Sequence, residues 1–378
     1  MPDSALPPLW TPSLRRARAD ALAARAAELG ADGLLLSHLP DVRWATGFTG
    51  SNALVLARGG ETILFTDGRY TEQAASETGS ATGSGVEVRV PGNDLVGALG
   101  DAATGGQTLA IQADHLTASV LADLRARHSG TVWMEVSAVL DALVAVKTGA
   151  EIARIEAAQR ITEAVFDEVC EVIRSARAPG EALTERDLGA RIVYGHLRRG
   201  CERMAFDPIV ASGPNGALPH ARPGGRALQR GDLVVIDMGG VVDGYASDMT
   251  RTVALGDVGD EARRVYDRVL AAHDAAVDAA VAGMTTDALD GVARAVLADA
   301  GLAEAFSHGL GHGVGLQTHE WPRVSYTRSD ALPDGCVVTI EPGAYLAGRF
   351  GVRIEDMIHV TATAARRLTR TPRALLVL

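Results

Sequence analysis

The chain has 378 residues, more than one hydrophobic core usually serves, which predicts two domains. Hydrophobic residues at 47% and charged residues at 22% give an ordinary globular balance that excludes extensive disorder. A net charge of −11 repels phosphate backbones and argues against a nucleic-acid partner.

The first twenty residues are proline-broken and then charged, with no apolar segment of the kind that directs secretion. No apolar run approaches the length of a membrane span, so a soluble protein without a membrane partner is expected. Ser13 to Leu29 repeats Ala and Leu at helical spacing and stops at Gly30. Gly33–Ser37, Ala53–Ala57 and Thr62–Thr66 read as strands, the last two joined by the turn Arg58-Gly-Gly-Glu61. A helix over Tyr70 to Glu77 and strands at Val86–Val90 and Leu109–Gln112 complete a small α/β domain ending near Leu143, assigned to residues 1–143. Lys147 is the only lysine, which leaves Schiff-base chemistry almost no candidate.

The second domain, residues 144–378, opens with helical patterns from Glu151 to about Ala176 and from Thr184 to Arg198. Short strands and glycine turns then run from Phe206 to Thr252, and two helices lie between Glu261 and Ala300. Strand texture returns from His308 to the end. Helices flanking a curved antiparallel sheet make an α+β domain. Cys170, Cys201 and Cys336 are odd in number and far apart, forming neither a zinc knuckle nor a disulfide framework. A reducing, cytoplasmic compartment is expected.

Three segments carry the chemistry. In the first, an apolar strand from Leu233 reaches Asp237, turns at Asp243-Gly244 and returns through Asp248. Residues an odd number apart across an even-length turn face the same way, and Asp237 and Asp248 meet that rule. Two carboxylates on one face repel unless a proton or a cation lies between them. The plainer reading is that one is a solvated edge residue, but the run Val235-Ile236 predicts a buried strand, where an unpaired Asp is costly. The second segment places His308, His312 and His319 within twelve positions of a glycine-rich loop, too many imidazoles for purely structural duty. In the third, Glu341 ends a β-run at Pro342, and Arg353 and Glu355 stand two apart in a stretch that reads as a strand. Taken alone, that last pair reads equally well as a surface ion pair.

Asp237, Asp248, His312, Glu341 and Glu355 together offer four carboxylates and one imidazole. Such an oxygen-rich set favours Mn²⁺, Co²⁺ or Fe²⁺ over a thiolate zinc site. Two divalent ions bring the four carboxylates to neutrality, whereas one leaves a buried negative charge.

These motifs resemble those of the pita-bread metallopeptidases. Asp237 with Gly-Tyr-Ala-Ser-Asp248-Met-Thr-Arg-Thr, the Gly311-His312-Gly-Val-Gly loop with His319-Glu320, Thr-Ile-Glu341-Pro-Gly and Val-Arg-Ile-Glu355-Asp carry the likeness, spanning Asp207 to Asp356. Within that family they are most similar to the Xaa-Pro branch, aminopeptidase P and prolidase. Thr46–Ser51 and Thr66–Gln73 resemble the creatinase-type N-terminal domain of small bacterial aminopeptidases P. The resemblance implies a pita-bread catalytic domain behind a creatinase-like α/β domain. It also implies two bound divalent ions, with Mn²⁺ expected and Co²⁺ or Zn²⁺ as alternatives. Asp237 would bind one ion, Asp248 and Glu355 would bridge both, and His312 and Glu341 would complete the second. By the same resemblance His220 steadies the tetrahedral intermediate, and His319 contacts the substrate near proline, with His308 and Arg353 in support. Glu341 returns a proton to the leaving prolyl nitrogen. The implied reaction is hydrolysis of the bond between an N-terminal residue and a following proline, of the aminopeptidase P type. The alternatives are a prolidase restricted to dipeptides and, more remotely, an inactive binding module. A homodimer or larger assembly is implied, with the loop Thr46 to Asn52 as candidate lining of a neighbour's cleft.

Overall fold

A computed structural model describes residues 6–80, 85–103, 105–175 and 182–378. The chain divides into two compact units, Pro7–Val144 and Ala145–Leu378.

The first unit is built on a six-stranded mixed sheet in the order Val86–Arg89, Glu61–Thr66, Ala53–Arg58, Gly33–Leu36, Thr108–Gln112, Val132–Val136. Its hairpin closes at Gly59 and Gly60, whose φ of 56° and 80° supply the two left-handed residues that a tight two-residue turn requires. Leu35, Leu56, Phe65 and Ile111 fill the core over this sheet. The helices Leu39–Thr46 and Ala118–Arg127 and the strand Val132–Val136 were not legible in the sequence. The first two lack a clean apolar stripe, and most of the Ala118–Arg127 helix is solvated, with Leu124 its buried residue.

The second unit is α+β, as expected. The strands Leu376–Val377, Met249–Ala254, Leu233–Met238 and Ile209–Ser212 form one sheet. The strands Glu320–Val324, Gly311–Gly313, Val337–Ile340, Asp356–Val360 and Ala365–Arg367 form another. A two-stranded ribbon, Gly343–Leu346 with Phe350–Arg353, completes the frame of the site. Helices Gly149–Ser175 and Glu185–Arg198 cover the first sheet through Val165, Phe166 and Ile192 against Val234 and Ile236. The sequence carries the first of these helices to about Ala176, a position outside the described residues. Thr184 caps the second, its hydroxyl accepting from Asp187 N–H while the Asp187 carboxylate accepts from Thr184 N–H. Helices Gly259–Ala279 and Thr286–Asp299 pack a separate core of Tyr266, Leu289, Val338, Ile340 and Val352. Each large side chain buried there contributes about 1.5–3 kcal/mol. Among the described residues no helix is long and apolar enough to cross a membrane. The three cysteines are free and buried.

Candidate metal centre and cleft

Strands Leu233–Met238 and Met249–Ala254 pair antiparallel, with Asp237 directly opposite Thr250. Asp248 precedes Thr250 by two residues, so it projects from the face that carries Asp237. The tip of this hairpin departs from the sheet. Gly240–Val242 and Tyr245–Ala246 join Arg203–Met204 in a sheet of their own. The chain leaves the first ladder at Gly239, where an added Cβ would overlap the Ser247 carbonyl oxygen. Glycine is required there by that close crossing.

The stretch Phe350–His359, read from sequence as one strand, is two strands in different sheets. Phe350–Arg353 pairs with Gly343–Leu346, whereas Asp356–Val360 pairs with Val337–Ile340. Ile354 and Glu355 form the link, held by bonds that replace a ladder. Glu355 N–H donates to Thr250 O at 3.1 Å, the Thr250 hydroxyl donates to Glu355 Oε2 at 2.8 Å, and Arg251 Nη1 donates to Glu355 O at 2.6 Å. Glu355 is thereby turned toward the carboxylates of the hairpin.

His312 enters from Gly311–Gly313. Its N–H donates to Thr339 Oγ1 at 3.1 Å, and the same hydroxyl donates to Glu341 Oε1 at 3.2 Å. His312 Nε2 lies 3.3 Å from Glu341 Oε1 and 3.7 Å from Asp248 Oδ2. Asp248, His312 and Glu355 each bring a donor atom within 4.8 Å of the others. Asp237 is close by but half committed: Arg353 Nη2 donates to its Oδ2 at 2.7 Å, while its Oδ1 is buried without a partner.

Burial pushes the carboxyl groups of Asp248 and Glu355 well above the ordinary range, and repulsion from neighbouring carboxylates adds to it. Burial likewise raises Asp237, against the pull of Arg353. Burial also disfavours the Glu341 anion, but His312, His308 and Arg353 together outweigh it and hold that carboxyl below its usual range. Buried carboxylates that repel one another, an imidazole within reach and an orphaned Asp237 oxygen are the condition that a divalent cation relieves. The residues present fit such an ion.

All nine residues picked out in the sequence line one cavity of about 1050 Å³: His220, Asp237, Asp248, His308, His312, His319, Glu341, Arg353 and Glu355. His220 and His319 are exposed to it. The rings of His312 and His319 meet edge to face at 4.3 Å. His308 Nε2 lies 2.9 Å from the Tyr345 hydroxyl, which also accepts from Arg353 Nη1 at 2.9 Å. Arg353 further donates to Pro219 O and Thr250 Oγ1, so its hydrogen bonds run to the frame of the site.

Four participants escaped the sequence reading. Thr250 and Thr339 each stand two residues from a candidate ligand, so the alternation of strand faces could have found both. Tyr345 had no such signal. Arg323 is the cross-strand partner of His312 across a β-bulge, and only that register shows that the two share a face.

Two family profiles match the chain: the Creatinase/Prolidase N-terminal domain over residues 18–146 and metallopeptidase family M24 over residues 153–362. An Xaa-Pro dipeptidase of Pyrococcus furiosus is 40% identical over 271 residues, which are 71% of this chain and 76% of that protein. The solved structure of an Xaa-Pro dipeptidase from Bacillus anthracis superposes with a TM-score of 0.89 at 30% identity, over 96% of this chain and 100% of that one. An X-Pro aminopeptidase structure from Thermotoga maritima MSB8 gives 0.84 at 34% identity, over 94% and 100%. The architecture is the pita-bread fold behind a creatinase-like domain, as the motifs implied. By sequence profile, fold and the residues gathered in its cleft, the chain belongs to metallopeptidase family M24.

Proposed function

We propose that the chain is an Xaa-Pro dipeptidase that binds two divalent ions. The sequence motifs pointed first to aminopeptidase P. The similarity to proteins described as Xaa-Pro dipeptidases favours the dipeptide reading instead. The observation that carries it is Arg323. Its guanidinium is exposed, lines the cleft and has no ion-pair partner among the described residues. On the face that carries His312, it is a ready partner for the free carboxylate of a dipeptide, which in a longer peptide lies further along the chain.

In this reading Asp237, Asp248, His312, Glu341 and Glu355 would hold the ions, with manganese as the expected metal. When bound, such ions acidify a water molecule and polarise the scissile carbonyl. Glu341 carries the water's proton to the prolyl nitrogen as the C–N bond breaks. His220, exposed on the cleft and without a hydrogen bond to the described residues, donates to the developing oxyanion. His319 contacts the proline side, and Arg353 keeps Asp237 and Tyr345 in place. The Xaa-Pro bond offers no N–H to grip, which suits a site that works on the carbonyl and the terminal charges.

The division at 143/144, cytoplasmic residence and a homodimeric or larger assembly belong to the same proposal, and sedimentation tests the last. The substrate reading is tested with Leu-Pro, Leu-Pro-amide and Leu-Pro-Gly on the manganese-loaded enzyme. Leu-Pro should be preferred, and Arg323→Gln should erase that preference. Equal rates on all three would return the assignment to an aminopeptidase.

A further inference from the structure

Three arginines that line the same cleft, Arg186, Arg222 and Arg328, take part in none of these steps, and the first two lie together. Arg186 lies in the first turn of Glu185–Arg198 and lines the cleft with Gly189, Ala190 and Val193, the i, i+3, i+4 and i+7 positions of one helix face. Arg222 follows His220 by two residues, on the segment that this face packs against. Arg186 N–H donates to Gly224 O at 2.9 Å, and a Cβ added at Gly189 would stand 3.2 Å from the Pro223 ring. The backbones of the two arginines are therefore neighbours. Both side chains are exposed, and neither has a carboxylate within ion-pair distance among the described residues, although the charge of Arg186 is felt by Asp187.

The acids nearest in sequence are already committed. Glu185 is buried and accepts from Ser212, Asn215 and Gly224, and Asp187 closes the cap with Thr184. Elsewhere in the cleft Arg323 and Arg328 likewise have no ion-pair partner among the described residues, and the lining acids other than Asp207 are the four carboxylates assigned to the ions. On a chain of net charge −11, two neighbouring arginines without an ion-pair partner, set apart from the carboxylate cluster, suit an anionic group of the ligand.

We propose that Arg186 and Arg222 form an anion subsite for the side chain of the substrate's first residue, so that Asp-Pro and Glu-Pro are favoured over their amide counterparts. The inference rests on the dipeptidase reading. There the terminal carboxylate is taken by Arg323 on the His312 wall, which leaves the His220 wall to the first residue. A cavity of about 1050 Å³ has room for that side chain beyond the carboxylate cluster.

The test compares kcat/KM for Glu-Pro with that for Gln-Pro on the manganese-loaded enzyme and on Arg186→Gln/Arg222→Gln. The wild-type ratio should be about tenfold or more, the size of a charge-assisted pair, and should fall to near one in the variant. A wild-type ratio of one or less, or a ratio untouched by the variant, overturns the subsite. Calorimetric binding of the uncleavable methyleneamine isosteres of the two dipeptides separates the two claims. A Glu preference in binding without cleavage of either dipeptide sinks the dipeptidase reading and upholds the subsite. Equal binding of the two isosteres overturns the subsite whatever the rates.

Discussion

Lys147, the only lysine in the chain, is buried in an ion pair with Glu320, the residue that follows His319. Their side chains are 1% and 5% exposed, so neither charge has water to fall back on. Lys147 N–H donates to Gly335 O at 3.0 Å, and Glu320 stands opposite Gly313, beside the His312 bulge. The pair therefore ties the start of the second unit to the loop that carries two of the site's imidazoles.

Removing one member of such a pair strands the other. Lys147→Met should cost about 3–5 kcal/mol in urea unfolding. Lys147→Met/Glu320→Leu should recover most of that loss, because the stranded charge goes too. A single variant as stable as wild type would contradict the pairing.

Metal loading can be read without turnover. Asp248 and Glu355 repel in the metal-free protein, so Asp248→Asn should raise its melting temperature slightly or leave it in place. Manganese should stabilise the wild type and fail to stabilise Asp248→Asn or Glu355→Gln, since a ligand stabilises only the state that binds it. Both variants should be inactive. Equal manganese-induced shifts in all three proteins would remove these residues from the metal site.

His220 is assigned to the reaction rather than to the ions. His220→Ala should keep wild-type metal content by elemental analysis and lose about 10²–10³ in kcat, with a smaller change in KM. Loss of a metal ion, or a full rate, would show that its role is different.

His196 supplies a pH prediction away from the cleft. It is buried, its Nδ1 lies 2.8 Å from Ile192 O, and its Nε2 lies 3.0 Å from Thr162 Oγ1. Burial pulls its pKa below the ordinary histidine value. On acidification the unfolded chain takes up this proton first, near pH 6.5, while the folded chain resists. The contribution to stability is thus complete above that pH and is lost as the pH falls below it. Between pH 7.5 and 5.5 the urea midpoint of His196→Gln should move toward lower urea by less than that of the wild type. Identical pH dependence in the two proteins would falsify the assignment.

Much of the site was legible because its determinants are local. Alternation along Leu233–Met238 and the parity of the Asp243-Gly244 turn put Asp237 and Asp248 on one face before any fold was known, and the ladder keeps that face. Glu341 at the end of a buried run and three histidines in a glycine loop were equally local signals. The tertiary structure decided what depends on contacts between distant segments. Glu355 points inward because Thr250 and Arg251, more than a hundred residues earlier, hold the backbone where one strand becomes two. Arg323 shares a face with His312 because a bulge shifts the register, and no period in the sequence encodes that shift. Arg186 and Arg222 become neighbours because Gly189 lets a helix close on Pro223. Residue type and spacing announced the chemistry; which free cations surround it was settled only when the chain packed.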